Sequence, residues 1–287
     1  MVSTQLHPDD TLPLTCTRAG TCCHGNRVFL NPWELASLAR GKQLTPAAFR
    51  EQFCDAGGVV LRFDGPTNSN GKPACRLYSE NTGCSVHPWR PLACRLYPLA
   101  RQVQYETARY IYQGEAFPCL NECPDVVKLP HMRVREYLAG QQTDSFEKAQ
   151  DEYLELMQDI ADVAFTLLLD TGLAESGDTK TLVAWRKMGN EQPAILVKRI
   201  GQEWIDFLMI PSFPEQPDAI AFARMHNEQF QLKAQEEFGN PGNFHEIHEA
   251  SVLMMALALY LARALGANPE VLADYWVEQA KSHGARE

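Results

Sequence analysis

In the second half of the chain, apolar positions recur at helical spacing. Tyr153, Leu156, Ile160, Val163, Ala164, Leu167 and Leu168 form one stripe, which predicts a helix over residues 144–169. Residues 193–210 read as a further helix, although their β-branched content also suits a strand. Residues 218–238 and 243–265 carry the same pattern, the second after Asn240-Pro-Gly-Asn243, which is turn and cap chemistry. A last helix is predicted over 269–282, and 211–217 read as a loop.

The first half has no such regularity. Asn31-Pro32 opens a helix that Gly41 stops, with Asn31 as its cap, and Thr45-Pro46 opens a second. Residues 58–65, 75–78 and 102–112 look like strands, the last interleaving β-branched and aromatic residues with polar ones. Residues 66–73 form a polar loop. Between 84 and 98, Pro88, Pro91 and Pro98 each lack a backbone donor, which excludes a long regular helix. These patterns predict an α+β fold, mostly α. A small cysteine-rich domain with short strands over 1–130 precedes an all-helical domain over 131–287.

Charge sharpens that division. Residues 131–287 hold 25 Asp and Glu against 13 Lys and Arg, whereas residues 1–130 are nearly balanced. An acidic second half argues against nucleic-acid binding, which needs clustered cations on the phosphates. It suits a protein partner surface instead. The start of the chain shows neither a basic nor an apolar leader, and the longest apolar run, 252–262, is short for a bilayer. The expectation is a cytoplasmic protein with no membrane partner.

All nine cysteines lie in the first half. Where thiols stay reduced, such a concentration reads as metal ligands before disulfides. Setting Cys54 aside as a packed free thiol leaves Cys16, Cys22, Cys23, Cys75, Cys84, Cys94, Cys119 and Cys123. These eight thiols suffice for two four-thiolate centres or one larger cluster, and soft sulfur selects zinc or iron–sulfur over magnesium or calcium. Gly20 and Gly25 permit the tight turns that aim thiols inward. Arg90 and Arg95 flank Cys94 and offer guanidinium donors to an anionic thiolate centre, or to the loop carbonyls around it. His24 is a possible substitute ligand or an exposed loop histidine. His245 and His248 share a helix face, but a solvated charged face explains them better than a second metal site.

The elements Cys16-x2-Ala19-x2-Cys22-Cys23, Cys75-Arg-Leu-Tyr and Cys84-x5-Arg90-Pro91-x2-Cys94-Arg95-x2-Pro98 resemble the CxxCxxCC cysteine-cluster family (YkgJ-like) over about residues 14–125. The resemblance implies a zinc- or iron-chelating domain. Ala19 stands where the family has its second cysteine, and His87 where it tends to an aromatic residue. Cys123-Pro124 matches the family's closing cysteine, and Cys119 is surplus to the pattern and able to restore the count to eight. Flagellin lysine methylases share this type of cluster. A methyltransferase-like enzyme with a structural or redox cluster is therefore one alternative to a plain metal-binding protein. A thiol redox sensor built on Cys22-Cys23 is another.

Overall fold

The computed structural model describes residues 4–14, 20–104, 107–112, 130–213, 217–240 and 242–287. Among these are eleven α-helices and nine strands, none of the strands longer than six residues. The fold is α+β and mostly α, as the patterns predict. The chain divides into two compact units. One comprises residues 1–28, 37–53 and 61–147, and the other 29–36, 54–60 and 148–287.

The first unit holds the strands. β1 (Thr4–Leu6) pairs antiparallel with β8 (Thr107–Tyr112), which pairs antiparallel with β7 (Leu99–Gln104). The strand predicted over 102–112 is thus not one strand: it takes in the end of β7 and all of β8, the two arms of a hairpin, with 105–106 outside the described residues. β2 (Thr11–Pro13) pairs with β9 (His131–Arg133), so the change to helix comes at Val134 rather than His131. The strand predicted over 75–78 is a correction. Tyr78 N–H donates to Cys75 O at 2.8 Å, a turn, and only Tyr78–Ser79 (β5) extends, against Gly83–Cys84 (β6). The strand predicted over 58–65 shrinks likewise to Val60–Leu61 (β4), because Gly57 and Gly58 take left-handed φ of +73° and +111° just before it. Cys54–Asp55 (β3) is equally short.

Helices α1 (Pro32–Gly41) and α2 (Pro46–Phe53) begin where their caps predict. Asn31 Oδ1 accepts from Glu34 N–H at 2.9 Å while Glu34 Oε2 accepts from Asn31 N–H at 3.1 Å, a reciprocal capping box. The 84–98 stretch carries only a 3₁₀ turn at His87–Trp89 and the five-residue α3 (Leu92–Leu96). α4 (Val134–Gln141) follows β9.

The second unit is built around helices. α5 (Asp144–Leu169), α6 (Lys180–Gly189), α7 (Pro193–Ile200), α8 (Gln202–Met209), α9 (Ala219–Phe238), α10 (Phe244–Ala264) and α11 (Pro269–Ser282) follow in order. Gly201, with φ +87° and ψ 156°, splits the predicted 193–210 helix into α7 and α8. Asn243 caps its helix through its side-chain oxygen, as its cap chemistry predicts, and Asp218 and Asn268 cap theirs in the same way. From Ala250 to Ala264 every residue of α10 except Leu253 is buried. Each buried large aliphatic side chain there stabilises by about 1.5–3 kcal/mol. By length and composition α10 could cross a membrane, yet 83% of its apolar window is buried inside the fold, as in a core helix. Ser251 Oγ donates to Ala164 O at 2.9 Å and ties α10 to α5.

Candidate metal centre

Cys22, Cys23, Cys75, Cys84 and Cys94 all line one cavity of about 370 Å³ in the first unit. The backbone explains how segments so far apart in sequence meet. Cys22 and Cys23 sit in a 3₁₀ turn, where Cys23 N–H donates to Gly20 O at 2.9 Å. Next along, His24 bridges antiparallel to Ala74, Gly25 N–H donates to Pro73 O at 2.8 Å, and Cys75 N–H donates to Cys23 O at 2.7 Å. The β5–β6 hairpin then sets Cys84 across from Tyr78. α3 supplies Cys94, whose N–H donates to Pro91 O at 3.0 Å. Gly20 has φ +78°, and a Cβ there would lie 2.6 Å from the Tyr78 ring, so only glycine allows this approach.

Cys16, Cys119 and Cys123 lie outside the described residues, as does Ala19. Among the described residues, no three His, Cys, Asp or Glu side chains form a group that could hold a metal ion. What those residues do show is five soft sulfur donors converging on one cavity, a donor set that fits zinc or iron–sulfur and not calcium or magnesium. Cys54 is 3% exposed and is absent from the cavity wall.

The thiols are electrostatically coupled. Cys22 is pushed well up from the ordinary thiol value by its hydrogen bond with Cys23, by burial and by the charge on Cys23, against a downward pull from Arg90. Burial pushes Cys75 up to about 11, with the Cys84 and Asp64 charges adding to it. A metal that displaces these protons makes its own binding pH-dependent.

Both arginines donate to loop carbonyls, one of the two roles that the sequence left open. Arg95 is 3% exposed. Its Nε donates to Arg90 O at 2.9 Å, Nη1 to Gln141 O at 2.8 Å and Nη2 to Pro88 O at 2.5 Å, and its guanidinium lies 3.9 Å from the centre of the Phe146 ring. Arg90 lines the cavity; its Nη1 donates to His87 O at 2.6 Å and its Nη2 to Gln141 Oε1. Sequence spacing gave no signal for Gln141, which closes α4 far downstream of the cysteines.

His24 is buried rather than exposed. Its Nδ1 lies 2.8 Å from Gly20 O and its ring packs edge-on against Tyr78, so it braces the turn carrying Cys22 and Cys23. His245 is exposed, while His248 Nδ1 pairs with Thr181 Oγ1 at 2.8 Å.

The site is thus a loop-built pocket lined by five thiols and by Arg90. Residues 15–113 match the model of the CxxCxxCC family, described as "Putative zinc- or iron-chelating domain". The match bears out the resemblance drawn from the residues and takes in Cys16, Cys22, Cys23, Cys75, Cys84 and Cys94; Cys119 and Cys123 fall beyond it. No curated protein and no solved structure matches the chain.

Proposed function

We propose that this is a cytoplasmic metal-binding protein whose N-terminal thiolates hold zinc or an iron–sulfur cluster. On this reading residues 1–130 are the metal-holding part, and the acidic helical residues 131–287 offer a surface to a protein partner. The carrying observation is the convergence of Cys22, Cys23, Cys75, Cys84 and Cys94 on one cavity. The match of residues 15–113 to a chelating-domain model supports it. Cys16, Cys119 and Cys123 complete the proposed set of eight. Bound there, zinc would act as a structural crosslink, and an iron–sulfur cluster would add one-electron redox capacity.

The chain's own part is to aim the thiols, to shield them with Leu77, Val86 and Tyr78, and to offset the charge of the loaded centre through Arg90. Neither nucleic acid nor membrane enters this reading. Metal analysis with an absorption spectrum on anaerobically purified protein tests it. Stoichiometric zinc with a featureless visible spectrum supports a zinc centre, and stoichiometric iron with a broad visible band supports a cluster. Protein that carries neither metal and takes up neither on reconstitution overturns the proposal.

A further inference from the structure

We propose that Gln141 is the positioning residue for Arg90, fixing this cation in the wall of the thiol cavity, while Arg95 ties down the backbone around it. The inference rests on the chelating function proposed above. Of the two arginines that line the cavity among the described residues, Arg27 is exposed and Arg90 is half-buried. No carboxylate stands among the described residues lining it. Arg90 is therefore the buried-side countercharge available to a thiolate centre. Four thiolates on a divalent ion leave a net negative charge, which a fixed guanidinium offsets without having to be ordered at the moment of binding.

Three contacts hold it. His87 O and His87 Nδ1, the latter at 3.2 Å, are local and move with the loop, whereas Gln141 Oε1 comes from α4 and sets the guanidinium against a separate element. Arg95 shares Gln141 with it but bonds there to the main-chain oxygen, and donates as well to Arg90 O and Pro88 O. The side chain of Gln141 thus serves Arg90, and its backbone serves Arg95. Replacing the side chain separates the two roles.

The experiment measures metal transfer from loaded protein to excess colorimetric chelator, alongside the thermal midpoint. Arg90→Lys and Gln141→Leu should each speed release about 10- to 100-fold, the range for losing an outer partner of a metal ligand. Their thermal midpoints should stay near that of the unmodified protein. The double variant should release no faster than Arg90→Lys alone, because both changes remove one interaction. Arg95→Lys should instead lower the midpoint. Release by Gln141→Leu at the unmodified rate overturns this inference and leaves the chelating function standing. So does a Gln141→Leu midpoint that falls in step with its release rate, or a fully additive double variant. Unmodified protein that holds no metal overturns both.

Discussion

The amide of Cys75 donates to the carbonyl of Cys23 at 2.7 Å. This backbone bond, flanked by the His24–Ala74 bridge, carries two cysteines from the first turn to the same wall as Cys75. No side chain is needed to make the approach, so a thiol can be exchanged without dismantling the loop. Cys75→Ser and Cys84→Ser should therefore each lower metal stoichiometry while leaving the far-ultraviolet circular dichroism spectrum intact. Cys54→Ala provides the contrast. It removes a sulfur that is absent from the cavity wall, so metal content should hold and stability should drop by about 1 kcal/mol. Full metal loading in both serine variants would remove these two residues from the site.

Glycine at position 20 makes a sharper test of the same approach. Gly20 and Gly83 both hold left-handed φ, +78° and +73°. A Cβ at Gly83 meets nothing within 4 Å, whereas one at Gly20 would strike the Tyr78 ring. Gly83→Ala should then cost only the backbone penalty, about 1–2 kcal/mol. Gly20→Ala should cost more and should lower metal affinity as well, because Tyr78 must move on the strand that faces Cys84. Equal losses of stability and affinity in the two variants would show that the Tyr78 contact is unimportant.

Much of this was legible in the sequence, and the reasons it was legible are local. Asn31 and Asn243 announce their helices because a cap acts on its own next turn. The cysteines were legible because thiols at turn-rich spacings have few other uses. What escaped depends on distance. β1 and β2 are three residues each and are extended by partners at Tyr110–Tyr112 and His131–Arg133, which no local pattern reveals. Residues 75–78 looked like strand, but Arg76 is drawn out of line to pair with Asp64 and with Gln52 O at 2.6 Å, and the chain turns there. The role of Gln141 was hidden for the same reason, since Arg90 and Arg95 reach it only after the fold is made.

Arg186 on α6 offers a prediction about the helical unit. It bonds to Asp274 at 2.5 Å and Glu278 at 2.9 Å on α11, and to Glu287 at 2.5 Å. All the partners are at least partly exposed, so solvent screening leaves each pair worth little. Arg186→Ala should destabilise modestly in low salt, and the difference should shrink as salt rises toward 1 M. A loss that is indifferent to salt would mean that the aliphatic stem packing, and not the charge, holds α6 to α11.

The last prediction concerns pH and His226. This side chain is fully buried on α9, accepts from Tyr153 Oη at Nδ1 over 3.1 Å and donates from Nε2 to Phe207 O at 3.2 Å. That pairing uses the neutral tautomer, and burial lowers its pKa from 6.5 to about 4, with the Phe207 carbonyl opposing. In the unfolded chain the same imidazole takes a proton below about 6.5. Between pH 6.5 and 4 the unfolded state thus binds more protons than the folded one, so stability rises with pH across this window and falls as the solution is acidified. The slope from this one group is about 1.4 kcal/mol per pH unit, an order-of-magnitude figure. His226→Gln keeps an amide able to accept from Tyr153 and donate to Phe207 but cannot titrate. Denaturant unfolding at pH 7.5, 6, 5 and 4.5 should show a flatter stability curve for the variant, with the gap between the two proteins closing on acidification. Parallel curves across that range would show that His226 does not stay neutral in the folded protein.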